Sequence, residues 1–428
     1  MPGITERAKA LRTLYRARKR ILIEEADSDT DAEDEAMEEN LAFTAVLLSR
    51  RYIKRPSNYR NKDFDADKAF HAWLTDTNYV VFTHMTRSSF EFVHNMIKDD
   101  PIFVNPSPIS TSHQRSVYFQ LFIALSRFVC DGDGWCFDKV CESFKVGHGT
   151  IKLYTERVCT ALGRHEKTWI SWPNAAQRRD LSALGESKYG FPGFIASCDG
   201  TLISLRRAPA FDQYPESYHH HRHGGYGFNV LFWVDHHGSI IRFTCNRPAS
   251  AADQTIFDAS LFACDPWNHL TLRNEEYIFV DLGFKREVFA VPPYKGKEAK
   301  LEHNALFNHA QRRGRVKVDV TCCFSFRDVT HLQVEHANGV IKARFASLKG
   351  IPIDIRCNDD HLRCAAWITA CVVLHNILIF LRDEFEYEPS VPCDDDDDLE
   401  VQAAPQGKAF QNAVRDRWLQ DVLRWEKS

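Results

Sequence analysis

The segment Phe194–Leu205, FIASCDGTLISL, is an apolar run interrupted by one acidic residue, Asp199. Runs of this kind form buried β-strands, and a carboxylate inside one is costly unless something pairs with it. By itself Cys-Asp-Gly-Thr also fits a turn Asp with its Gly. A second strand-like run, EYIFVDLGF (Glu276–Phe284), carries Asp281, which could equally cap a following helix. Glu335 lies early in HLQVEHANGVIKARFASLKG (His331–Gly350), a segment of helical period whose bases Lys342, Arg344 and Lys349 could pair with it. Two strand carboxylates and one helix carboxylate, taken jointly, suit a hard-oxygen cage for divalent cations.

Around these segments the pattern is mixed. GFNVLFWV and SIIRFTC (Gly227–Val234, Ser239–Cys245) read as a hairpin turned at Asp235–Gly238, DHHG, and ADQTIFDASLFA has helical spacing. Residues 190–382 are therefore expected to form an α/β domain, a mixed sheet covered by helices on both faces. Residues 61–175 read as all-helical, with a capping box at Ser88 and Glu91. Within them, FDKVCESFKVGHGTIKLYTERVCTAL (Phe137–Leu162) suggests a helix-turn-helix with Ile151, Tyr154 and Val158 inward and His148, Thr150, Lys152 and Arg157 available to DNA. An ordinary helical hairpin fits the same pattern. SWPNAAQRRDL, containing Pro173, reads as a linker.

Charge is segregated along the 428 residues. Residues 24–40 hold ten acidic side chains and residues 393–400 hold six, and setting those sixteen aside leaves 42 of the 58 acids against 54 Lys and Arg, about +12 in formal charge. Such a body favours a polyanion. Residues 1–60 read as a basic helix, with RARKR (Arg16–Arg20) as a nuclear-import patch, followed by acidic disorder. Residues 383–408 read as an acidic linker, and 409–428 as an amphipathic helix with Phe410, Val414, Trp418 and Val422 on one side, expected to pack back on the body.

The 13 cysteines are scattered without a Cys-x-x-Cys, which points to reduced thiols. The basic N-terminus argues against export. The most apolar run, Ala365–Leu381, is short for a membrane span and contains His375 and Asn376, so a buried core helix is expected. His219, His220, His221 and His223 stand too close together to share one ion and read as a polar, DNA-facing loop.

The succession CDGT, HHHRHGGYGFNV, FVDLGF, PPYKG, LFNHA, VEHANGVIKARFASLKG and CVVLHNIL resembles, in order, the blocks of PIF/Harbinger-type transposases and their domesticated relatives, the DDE superfamily endonucleases, over roughly residues 85–382. The resemblance implies a ribonuclease-H-like fold and a metal-dependent nuclease that cuts DNA at transposon ends. Asp199, Asp281 and Glu335 fall on the family's three acidic positions, the ligands and catalytic residues of two Mg²⁺ or Mn²⁺ ions, with Asp199 bridging both. Double-stranded DNA as substrate, a separate DNA-binding partner, self-assembly and a nuclear location go with it. Arg206, Arg207, Lys285, Arg286, Lys342 and Arg344 are candidate phosphate contacts beside that centre. The chain departs from the pattern with His331 in place of an Arg four residues before the Glu, and Ala252-Asp253 in place of His-Asp. Val316–Gln333 reads as an insertion, and without it Arg313 would stand four residues before Glu335. These departures motivate one rival, a catalytically silent DNA- or partner-binding descendant; a second, a metal phosphohydrolase of small molecules, is disfavoured by the basic body and the helix-turn-helix pattern.

Overall fold

The computed structural model describes residues 6–24, 31–49, 66–104, 114–130, 144, 146–210, 215–221, 224–270, 276–320, 336–385 and 405–425. It divides into two units, Met1–Phe64 and Asp65–Ser428. In the first, the basic helix Glu6–Glu24 packs against a second helix, Asp31–Ser49, where the Asn40 amide donates to the Leu14 carbonyl at 3.1 Å. Disorder was expected through the acidic tract. Its second half is helical instead, for it continues into the apolar residues 41–48 and lies against a helix of opposite charge.

The second unit is built on a five-stranded sheet: β1 Phe194–Ser204, β2 Gly227–Val234, β3 Ile240–Pro248, β4 Tyr277–Val280 and β5 Ala290–Val291. The spatial order is β3-β2-β1-β4-β5. β1, β2 and β3 pair antiparallel, whereas β4 pairs parallel with β1 and β5 with β4. The hairpin between β2 and β3 turns at DHHG because Asp235 Oδ1 accepts the amides of His237 (2.8 Å) and Ser239 (3.0 Å), while Gly238 takes φ +84°.

Alternation along each strand divides the apolar side chains between two cores. Cys198, Leu231, Trp233 and Val280 meet Ile256, Phe257 and Phe262 on one face. Phe194, Phe232 and Phe279 belong to a larger cluster on the other, which runs through Ile341, Trp367 and Leu374 into Phe90, Phe122 and Val158 of the helical region. Sheet and preceding helices thus share a core.

The apolar run Ala365–Leu381 falls within helix Asn358–Phe380, which packs on β3 and on helix His148–Gly163 and is buried along most of its length. Its Asn376 accepts the Ile240 amide at 2.9 Å and donates to the carbonyls of Ile240 and Trp169, each at 2.8 Å. One side chain therefore satisfies both main-chain groups of an edge-strand residue. Asn376→Ala would orphan these buried groups, and a loss of roughly 3 kcal/mol of unfolding free energy is expected in urea titration. An unchanged denaturation midpoint would contradict this account.

Two helix starts differ from the sequence expectation. Helix Arg87–Ile97 is capped by Thr86, whose hydroxyl accepts from the Ser89 amide, rather than by Ser88. The supposed linker contains the start of helix Ala175–Tyr189, where Asn174 and Gln177 form a reciprocal capping box. At the other end, helix Pro405–Trp425 packs back as expected. Trp418 stacks on Phe191, with ring centroids 5.7 Å apart, and Phe410 meets Tyr277 edge-on.

Burial pushes the imidazoles of His236 and His375 down to about 4. Unfolded, each takes up a proton near 6.5; folded, it stays neutral until about pH 4. The unfolded chain therefore gains protons first on acidification, and the stability these residues contribute, complete above pH 6.5, drains away as pH falls toward 4. Going from pH 7 to 5.5 is expected to cost about 2.5 kcal/mol from the pair. Equal melting temperatures at the two pH values would refute this.

Candidate active site

Cys198 on β1 is in parallel register with Val280 on β4. The next residues along the two chains are Asp199 and Asp281, so the register brings their backbones to about one strand spacing, roughly 4.8 Å. Both are half-buried. Asp199 lies mid-way along β1, one residue past the end of its parallel pairing with β4, and Asp281 directly follows β4.

Side chains alternate along β1, and their contacts give the two faces. Asp199 and Thr201 meet helix His336–Arg344: Asn338 Nδ2 donates to Asp199 Oδ2 at 3.0 Å and Lys342 Nζ to Thr201 Oγ1 at 2.5 Å. The other oxygen, Asp199 Oδ1, accepts the Gly200 amide at 2.8 Å. On the opposite face the Asp253 carboxylate covers Gly200 so closely that a Cβ there would stand 2.5 Å from Asp253 Cγ. Asn229 Nδ2 holds that carboxylate by donating a hydrogen bond to Oδ1 at 2.5 Å and also donates to the Ala251 carbonyl at 2.8 Å.

The donors suit a hard cation. Asp199 and Asp281 each follow a residue of the paired register, while the adjacent Cys198 is buried and packs on the opposite face, where desolvation and then the charges of Asp199 and Asp253 raise its thiol well above the ordinary range. A neutral thiol turned away leaves oxygen as the donor type on this face, as Mg²⁺ or Mn²⁺ requires. Among the described residues there is no group of three or more His, Cys, Asp or Glu side chains placed to hold an ion. Glu335 immediately precedes helix His336–Arg344 and lies outside the described residues. So does most of the expected insertion: Val316–Val320 continue the helix that begins at Glu302, and residues 321–333 are outside.

The expected DNA contacts fall in different places. His148 and Lys152 are exposed at the start of helix His148–Gly163, Thr150 is half-buried, and Arg157 is half-buried near Gln120 Oε1 at 3.5 Å. Ile151, Tyr154 and Val158 face inward on this helix. Most of the first helix of the expected helix-turn-helix lies outside the described residues. Arg206 and Arg207 are exposed, with Arg207 paired to Asp354 at 3.3 Å. Lys285 pairs with Asp258 at 2.9 Å; Arg286 pairs with Glu298 at 3.0 Å and lies over the Tyr294 ring.

Arg344 corrects the sequence expectation. It is buried, paired with Asp383 at 3.5 Å, bonded to the Asp383 carbonyl at 2.6 Å and set over the Phe385 ring. A guanidinium so enclosed fastens helix His336–Arg344 to the chain after Phe380 and is withdrawn from any surface phosphate. The described part of the histidine cluster sits in a turn closed by the His219–Tyr226 bridge, with His223 outside the described residues.

Residues 198–376 match a family model described as DDE superfamily endonuclease. The matched segment begins one residue before Asp199, ends at Asn376 and spans Asp281 and Glu335. That segment, less than half of the chain, suggests a transposase-like nuclease domain. No curated protein and no solved structure matches the chain.

Proposed function

We propose that the protein is a metal-dependent DNA endonuclease of the PIF/Harbinger transposase type, acting in the nucleus on duplex DNA through Asp199, Asp281 and Glu335. The observation that supports this is the Cys198–Val280 register, which ends one residue before Asp199 on one strand and one residue before Asp281 on the other. The 3-2-1-4-5 strand order with β2 antiparallel to its neighbours supports the ribonuclease-H-like reading. The net positive body supports a polyanionic substrate.

Asp199 and Asp281 would hold one or two Mg²⁺ or Mn²⁺ ions with Glu335 as the third carboxylate. Bound there, the metal supplies a more acidic water and stabilises the charge on the leaving oxygen. The chain's own part is to fix the carboxylates on rigid strands and to draw in the phosphodiester backbone. Lys342, bonded to Thr201 two residues along β1 from Asp199, is a candidate for that second task; Arg206, Arg207 and the exposed His148 and Lys152 would extend the contact outward.

Nicking of supercoiled DNA with Mg²⁺ or Mn²⁺, comparing wild type with Asp199→Asn, tests the proposal. Cutting by wild type alone is expected. Equal cutting by both defeats the catalytic assignment, and DNA binding with no cutting by either favours the silent descendant. Hydrolysis of nucleotides with duplex DNA left intact would favour the small-molecule phosphohydrolase.

A further inference from the structure

We infer that Asn338 is a positioning residue whose side-chain amide sets the Asp199 carboxylate for cation binding, an inference that rests on the metal-dependent reading of the site. Asp199 is held at both oxygens, Oδ1 by the Gly200 amide at 2.8 Å and Oδ2 by Asn338 Nδ2 at 3.0 Å. The first bond comes from the strand itself and moves with it. The second comes from a different element and fixes the carboxylate plane relative to the helix. Asn338 is itself 7% exposed, so water competes little for this bond.

The helix lies in register with the strand. Asn338 and Lys342 are four residues apart, a rise of about 6 Å, and they reach Asp199 and Thr201, two residues apart on β1, a step of about 6.6 Å. The helix therefore runs alongside the strand with matching spacing, and Lys342 bonds Thr201 one step further along without touching the Asn338–Asp199 bond. An amide is suited to this place because it is neutral. It orients the carboxylate without cancelling its charge, whereas Lys or Arg there would form an ion pair in competition with a divalent cation.

The test is Mn²⁺ affinity of the full chain by isothermal titration calorimetry without DNA, together with melting temperature without metal. Asn338→Ala is expected to weaken Mn²⁺ binding about tenfold, the scale on which partners that orient metal ligands act. Thr201→Val loosens the same helix one step further along and is expected to bind Mn²⁺ within about twofold of wild type, even where its melting temperature falls as far. Wild-type affinity in Asn338→Ala, or equal weakening in both variants, would overturn the positioning role. If Asp199→Asn loses Mn²⁺ while Asn338→Ala retains it, the metal reading stands and only Asn338 is misassigned. If wild type and Asp199→Asn bind Mn²⁺ alike, the reading of the site fails and takes this inference with it.

Discussion

Asp199→Asn and Asp281→Asn are each expected to lower metal-dependent nicking at least about a thousandfold, equivalent to about 4 kcal/mol of transition-state stabilisation. Either substitution keeps the size and shape of the side chain but replaces a charged oxygen pair with one weak acceptor and a donor. Asn338 and the Gly200 amide both donate toward residue 199, so an Asn there can accept only one of them well. The fold should tolerate this, since both positions are half-buried and the neighbouring apolar contacts are untouched. Groups that act as one unit are not additive, and the double variant is expected to be little worse than either single one. Measured on plasmid DNA over a range of Mn²⁺, losses that multiply in the double variant would mean that Asp199 and Asp281 serve separate sites.

The strands and the two Asp residues were legible because burial, β-branching and turn residues act locally. The register was not, because nothing in FIASCD or YIFVD states which run lies beside which. Asp253 was noticed only as half of an incomplete His-Asp pair, and its position over Gly200 depends on helix Asp253–Asp258 packing on β2, where Asn229 tethers it. Asn338 gave no sequence signal of its own. Its four-residue spacing from Lys342 could have marked it as sharing a helix face, but the partner strand was unknown. Arg344 misled for a related reason: a base on a polar-looking helix suggests solvent, whereas Asp383, its partner, is 39 residues further on. The start of helix Ala175–Tyr189, by contrast, was available in the pair Asn174 and Gln177 and was hidden by the nearby Pro173.

Gly200→Ala is expected to cost about 2 kcal/mol of stability and to slow cutting about a hundredfold, although it adds one methyl group beside the acidic pair. The new Cβ would lie 2.5 Å from Asp253 Cγ and 2.6 Å from Oδ1. Asp253 has a short side chain tethered by Asn229, and helix Asp253–Asp258 is anchored by Ile256 and Phe257 in the core. Neither partner can retreat cheaply, so β1 itself must shift at residue 200, whose amide holds Asp199 Oδ1. The strain is thereby delivered to the carboxylate, and a displacement of about 1 Å at a reacting centre is enough for a loss of this size. Truncating the opposing group separates this account from a general disturbance of the sheet. Combining Gly200→Ala with Asp253→Ala removes the collision and is expected to restore more stability than the two single effects would predict, a coupling of about 1 kcal/mol or more in urea titrations. Strict additivity would show that the contact across β1 does not set the position of Asp199.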